Sequence, residues 1–459
     1  MQLSGALFLF LFLPLSFLLA LPVPRAWRPT ALALLSALWY VLANWHNPWG
    51  MTLVAVLVLL TSLLALHPAR KGKRAWLALG VGLPLGILVA ARAVTEYTAL
   101  PFVYPMGLGF LTLGAISVAV DAYRGDTERR PVPETAGYLL FFPALTMGPV
   151  LRHKDFVAAP RTVCFSLSDF CLGIRLYMAG FIKRLVAAAT LYRALEQILG
   201  YADSLPLIAL LFLLPFAYFF FYFFVSGSSD LARGVSAMYG VRTQDELSML
   251  TATSPDRMLT GALGSLHAYL TDYVGTPLRR LCGRAGQPIA ALATVALTVL
   301  FFRTRAELLL LALPLLLSAV LSARGAHAQR RITRILLCVL SAILCAGLML
   351  ALLFDTPFSL FSLFGAPLSE SAHFLYYVFG SVSSTRYLIL STCLLVCYLI
   401  ATRLAPHTKR GRSRLRTAAL LAEWILLFVG FALALLYFMP QFPQYADHLA
   451  PSPLILGGA

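Results

Sequence analysis

Apolar residues along this chain come in long blocks separated by short polar connections, without the polar/apolar alternation of membrane-barrel strands. Several blocks approach or exceed the roughly 20 residues with which a helix crosses a hydrocarbon core of about 30 Å. The pattern predicts helical spans at Ala6–Val23, Pro29–Trp45, Met51–Leu66, Ala75–Val94 and Pro101–Ala122. After a polar break it predicts Ala136–Val150, Leu205–Val225, Pro288–Phe302, Leu308–Leu321, Ile335–Phe354, Tyr387–Ala401 and Ala418–Phe438. The expected fold is all-α: a polytopic transmembrane bundle of about a dozen helical elements. It reads as one domain over residues 1–459, with N-terminal helices in 1–130, a motif-bearing core in 131–280 and C-terminal helices in 281–459. Ala136–Val150 is short and carries Pro143, Gly148 and Pro149, the pattern of a segment that re-enters; broken backbone at that depth must be buried in protein or line a cavity.

Two segments fit neither loop nor span. Cys171–Leu199 sets Arg175, Lys183, Arg184 and Arg193 among apolar residues in a helical period, as expected of a helix lying along the interface. Asp230–Pro277 mixes Arg233, Arg242, Asp245, Glu246, Asp256, Arg257 and Asp272 with apolar positions. It is too polar to span and too apolar to float free, and polar helices kept between spans point to something built inside the bundle.

Composition narrows the class. Residues are 60% hydrophobic and 12% charged, half the roughly 25% charged fraction of an ordinary soluble domain, which excludes a water-soluble globular protein as well as a disordered chain. Lys plus Arg number 36 against 19 Asp plus Glu, a net +17. The basic residues sit in short connections beside apolar spans, where they set orientation and meet anionic headgroups of the lipid bilayer, so no nucleic-acid partner is expected. Arg25 and Arg28 follow the first span, Arg70, Lys71, Lys73 and Arg74 the third, and Arg124, Arg129 and Arg130 the fifth, while Asn44–Gly50 has no Lys or Arg. The inner (plasma) membrane is the expected location, with odd-numbered early spans ending in the cytoplasm and both termini extracytoplasmic. Leu7–Leu21 lacks a preceding basic stretch and reads as a retained first helix. The seven cysteines are odd in number and form no CxxC pair, so they read as small hydrophobes. No HExxH, Walker loop or GxGxxG in strand context is present, and no metal is predicted.

An ordered set of sequence blocks runs through the chain: the opening FLFLPLSFLLAL, then Tyr104-Pro105-Met106-Gly107, Ala115-Ile116-Ser117 and Asp121-Ala122-Tyr123-Arg124-Gly125. Phe141-Phe142-Pro143, Gly148-Pro149-Val150-Leu151-Arg152, Asp155-Phe156 and Gly180-Phe181-Ile182-Lys183-Arg184 follow. The set closes with Ser226-Gly227-Ser228-Ser229-Asp230, Asp272-Tyr273 and Thr276-Pro277-Leu278. In this order the blocks resemble the membrane-bound O-acyltransferase (MBOAT) family, most of all its bacterial branch of alginate O-acetylation and D-alanyl transfer proteins. The resemblance implies a bundle with a central tunnel, in which an acyl group, acetyl by analogy, passes from a cytoplasmic thioester (acyl-CoA or an acyl carrier) to a hydroxyl of a cell-surface glycan acceptor. It leaves room for an extracytoplasmic acyltransferase partner. The family's two histidines fall here on Leu263 and Arg303, and an arginine donates hydrogen bonds but does not accept a proton near neutral pH.

His267, one helical turn after Leu263, is the surviving candidate base, with Arg303 as a charge stabiliser; the competing reading of His267 is a hydrogen-bonded interfacial histidine. Ser226, Asp230 and Asp272 are candidate substrate-orienting groups, though Ser and Asp also cap helices. Arg152, Lys183 and Arg184 are candidates for the phosphates of the donor, or equally for lipid headgroups. Asp121 and Arg124 read as an i,i+3 ion pair at a helix end. His153 could touch the donor or simply end a helix, and His327 reads as a solvated cytoplasmic residue. Loss of both expected histidines supports a second class of function: a catalytically lapsed relative that binds a carrier, lipid or glycan, or acts as a conduit.

Overall fold

The computed structural model describes in the main residues 7–24, 27–66, 73–97, 102–146, 148–158, 166–199, 206–241 and 264–282, with scattered positions between 339 and 435. Among the described residues the chain is helical and has no strand. Five helices follow the first five apolar blocks: α1 (Leu13–Ala20, entered through a π turn at Phe8–Phe12), α2 (Arg28–Ala43), α3 (Pro48–Leu66), α4 (Arg74–Tyr97) and α5 (Leu108–Arg124). Phe10, Leu18, Leu34, Leu59 and Val89 stand exposed on the outer faces, a surface suited to lipid tails. Trp27, Trp45 and Trp49 are exposed near helix ends, where amphipathic rings sit at headgroup level. Three described helices are long and apolar enough to cross a membrane, and the protein is an all-α membrane helical bundle.

α5 is the buried central helix of this half. It ends at Gly125, whose left-handed φ of 79° lets the Gly125 and Asp126 N–H groups both turn back onto the Asp121 carbonyl. A side chain would resist that turn, and it fixes Asp121 and Arg124 on the last turn of the helix.

The block expected to re-enter is broken. It forms α6 (Val132–Leu139) and α7 (Phe142–Thr146), then extended chain over 148–152, then α8 (His153–Ala158). Pro143 takes the second position of α7, where a missing N–H costs no helical bond. α6 packs against α2 and α3, and Phe141 and Phe142 are fully buried. The break is thus covered by protein, as backbone away from water must be.

Cys171–Leu199, expected as a helix along the interface, falls within one helical stretch: α9 (Leu167–Ile182) continues through a π turn at Lys183–Ala188 into α10 (Ala189–Leu199), packed along α11 (Leu210–Met238). The span expected to stop at Val225 gives way to a longer one, running on through Asp230 and Arg233 to Met238. The physical reason is a glycine crossing. A Cβ on Gly180 would stand 2.7 Å from the Gly227 carbonyl oxygen, and one on Gly234 would stand 2.7 Å from the Gly173 carbonyl oxygen. The pairs run in opposite order, so the helices are antiparallel, touching backbone to backbone every two turns as small residues permit in membranes. The polar side chains beside the seam then satisfy one another instead of seeking water.

After α11 the described chain resumes with α12 (Gly264–Leu270), a π turn at Thr271–Gly275 and α13 (Thr276–Cys282). The expected spans Pro288–Phe302, Leu308–Leu321, Ile335–Phe354, Tyr387–Ala401 and Ala418–Phe438 lie, apart from scattered positions, outside the described residues.

The seam yields a paired test. Gly180→Ala puts a methyl against backbone that has no flexible end to move and should lower stability by about 1–3 kcal/mol. Gly82→Ala on α4, whose Cβ would meet nothing within 4 Å, should be neutral or stabilising by about 0.5–1 kcal/mol. Thermal melting of the two variants in one detergent checks the difference.

Candidate functional site

The described site residues form two separate polar clusters, each seated on a π turn, a helical irregularity frequent at functional sites. The first gathers at the inner ends of α5 and α8 around the π turn Thr271–Gly275. Asp272 is its centre. Its Oδ1 accepts from Arg124 Nη1 at 2.9 Å, its Oδ2 from Lys154 Nζ at 2.5 Å and from Arg152 Nη1 at 3.4 Å, and its carbonyl from Arg124 Nη2 at 2.9 Å. Arg152 also holds Asp155 through Nε at 2.6 Å. The three cations keep 19–27% of their side-chain surface exposed, so they are reachable from outside.

Beneath this charged layer is a dry one. Tyr273 donates to Asp121 Oδ1 at 2.8 Å, so the Ser117 hydroxyl, 2.9 Å from the Tyr273 oxygen, supplies the proton of that second bond. Ser117 Oγ accepts from the His153 backbone N–H at 2.8 Å, and Asp121 Oδ2 accepts from the Lys154 backbone N–H at 2.9 Å. Tyr269 reaches the Leu113 carbonyl at 2.8 Å, and the Val150 N–H donates to Ser265 Oγ at 3.1 Å. Asp121 is completely buried. The expected i,i+3 pair of Asp121 with Arg124 is therefore absent. Each turns to the 271–275 segment instead, because that segment offers a phenol to the buried acid and a carboxylate to the exposed base.

The second cluster flanks the glycine crossing. Lys183, the first residue of its π turn, donates to Ser226 Oγ at 3.0 Å and to Asp230 Oδ2 at 2.6 Å, while Arg233 Nη1 holds Asp230 Oδ1 at 3.2 Å. Arg184, next in the chain, reaches round the other side of α11 to Ser228 Oγ at 3.1 Å and lies over the Phe224 ring. Among the described residues no group of three His, Cys, Asp or Glu side chains is placed to hold a metal.

The structure thus divides what the sequence offered as two sets. Ser226 and Asp230 join Lys183; Asp272 joins Arg152; Arg184 stands apart from both. Ser117, Lys154 and Tyr273 were not singled out, although Ser117 and Tyr273 lie inside the recognised sequence blocks and Lys154 between Arg152 and Asp155. His267 lies on α12, five residues before Asp272. Its side chain, together with Leu263 and Arg303, falls outside the described residues.

Burial would push the Asp272 carboxyl up, but the hydrogen bonds and charges of Lys154 and Arg124 outweigh it and hold it below the ordinary carboxylate range. A carboxyl with a depressed folded pKa lends stability that is present above the unfolded value of about 3.9 and lost as pH falls through the lower folded value. Asp272→Asn should cost about 1–3 kcal/mol at neutral pH by leaving three cations facing one another. The gap between variant and wild-type melting temperatures should close as pH drops below about 4.

No protein-family profile matches the chain. Among curated proteins it is similar to a "Probable alginate O-acetylase AlgI" of Pseudomonas putida, 32% identical over 265 residues, which cover 53% of this chain and 54% of that protein. A protein of the same name from Azotobacter vinelandii is 31% identical over 264 residues, covering 53% of this chain and 52% of its own. A "Peptidoglycan O-acetyltransferase" of Helicobacter pylori is 24% identical over 286 residues, covering 51% and 54%. The chain spans about half the length of the curated relatives it matches. Over about half its length the chain is thus similar to proteins named alginate O-acetylase and peptidoglycan O-acetyltransferase.

Proposed function

We propose that the protein O-acetylates a polysaccharide of the cell envelope, taking the acetyl group from a thioester on the cytoplasmic side. The observation that carries this reading is the similarity to proteins named alginate O-acetylase and peptidoglycan O-acetyltransferase. The polar clusters support it by supplying groups suited to each stage. Arg124, Arg152 and Lys154 are partly exposed cations gathered on one carboxylate, and they would meet the phosphates of acyl-CoA or an acyl carrier. On this reading the face lies in the cytoplasm and both termini outside, in the inner membrane, which the distribution of Lys and Arg supports. A glycan hydroxyl would enter from the opposite side through a passage between the helices.

The chemistry requires a base. The hydroxyl oxygen attacks the thioester carbonyl as its proton passes to an imidazole, the tetrahedral oxyanion collapses, and the C–S bond breaks to release the thiolate, which takes a proton. His267 is the proposed base, and Arg303 would stabilise the oxyanion. Ser226 and Asp230, with Lys183, would orient a polar substrate group beside the passage.

The loss of histidine at positions 263 and 303 favours one second reading: a non-enzymatic binding or transport component of envelope glycan modification. The two diverge in one assay. Purified wild-type protein given acetyl-CoA and a soluble glycan should release free thiol, and His267→Ala should reduce that rate at least about 100-fold. Tight thioester binding with no thiol release under any acceptor would instead establish the lapsed relative. Arg152→Gln should raise the donor KM about tenfold with little change in kcat, as loss of a contact held equally in ground and transition states does.

A further inference from the structure

The acyl-transfer steps above give Arg184 no role, although the sequence offers it as a candidate for phosphates, and its surroundings are unusual for a cation. It is only 7% exposed, set in the run Leu185, Ala187, Ala188 and Ala189, all buried. Its Nη1 donates to Ser228 Oγ at 3.1 Å, and its guanidinium carbon lies 5.1 Å from the Phe224 ring centroid. The Ser228 hydroxyl already gives its proton to the Phe224 carbonyl at 2.7 Å, so it can only accept. Among the described residues no carboxylate is within ion-pair reach of Arg184. Asp230, the acid of this crossing, spends both oxygens on Lys183 and Arg233.

What remains open is one edge. Among the described residues Arg184 Nε has no hydrogen-bond partner, and no bond to Nη2 is found. Nε–H and the adjacent Nη2–H point the same way and form the side-on fork with which arginine holds two oxygens of one anion. Keeping such a charge out of water without a counter-ion is costly, and an apolar residue of similar length would avoid the cost. An anion on the open edge would offset it, and in a phospholipid membrane the anion at hand is phosphate.

We propose that Arg184 is a binding site for a phosphate group, held two-pronged on its Nε–Nη2 edge beside α11. The phosphate comes from a lipid headgroup or from a pantetheine-type donor; only the second source rests on the acyl-transfer reading.

The test is thermal melting of the delipidated full-length protein in a neutral maltoside detergent. It is titrated at constant ionic strength with dioctanoyl phosphatidylglycerol, with coenzyme A and with sodium acetate. Wild type should be stabilised by one or both phosphate compounds, and Arg184→Met should bind the effective one at least about tenfold more weakly. Without ligand, Arg184→Met should melt higher than wild type, because an uncompensated charge has gone. Arg184→Lys keeps the charge and loses the fork, so it should also bind about tenfold more weakly, and it serves if Arg184→Met does not accumulate. A response to phosphatidylglycerol alone identifies a lipid source, and one to coenzyme A alone the donor. Equal phosphate responses in wild type and variants, no phosphate response at all, an acetate response equal to that of phosphate, or a lower unliganded melting temperature for Arg184→Met would each overturn the site. Thiol release plays no part in this readout, so an inactive enzyme leaves the lipid arm intact.

Discussion

The architecture depends on the backbone-to-backbone crossing of α9 and α11. Gly173 meets Gly234 and Gly180 meets Gly227, and any side chain at these positions would force the helix axes apart. Within a bilayer there is little hydrophobic gain in bringing two helices together, so close packing and polar contacts must supply the attraction. The crossing provides both. Removing four side chains lets the axes approach, and that approach brings Lys183 within 2.6 Å of Asp230 and Arg184 within 3.1 Å of Ser228. The glycines and the charges are therefore one feature: charges so deep would be intolerable if the helices stood at an ordinary separation, since their partners would be out of reach.

The other cluster works by layering. Asp121, fully buried, is satisfied by a phenol and a backbone N–H, so the groups nearest the core are neutral donors. The formal cations Arg124, Arg152 and Lys154 stay in the partly exposed layer above, around Asp272. This order keeps charge where solvent can screen it, and uses Tyr273 as the spacer between layers. It also joins three stretches far apart in sequence, because Ser117 and Asp121 on α5 receive the backbone of His153 and Lys154 while Asp272 and Tyr273 receive their side-chain partners.

The sequence made the helices legible where burial and lipid ask for the same residues. α2 to α4 match apolar blocks within a few positions because every face of such a helix meets something apolar. It misled where polar residues face each other. Asp230 and Arg233 looked like the end of a span, because a one-dimensional pattern records polarity but not what covers it. The glycines that resolve this were visible, seven residues apart in each segment, yet their pairing is a long-range fact. The same holds for Asp121 and Arg124, whose i,i+3 spacing was real but outcompeted by partners about 150 residues away. The ordered motif blocks do hold most of the first polar cluster, since Ser117, Asp121, Arg124, Arg152, Asp272 and Tyr273 all come from them.

The question of the base turns on access. His153 is the one described histidine placed against the first cluster, with its N–H on Ser117 and its ring 5.0 Å from that of Tyr138. At 2% exposure it is buried, out of reach of an alcohol carried on a glycan. A base must lie within hydrogen-bond reach of the proton it takes. That criterion removes His153, and it turns attention to α12, where Ser265 and Tyr269 already anchor the helix to Val150 and Leu113. Anchors two residues before and two after His267 hold its backbone on a short helix that leads straight into the π turn of Asp272. A backbone held in this way, on the element that carries the first cluster, is what the base proposed for acyl transfer would need of its scaffold.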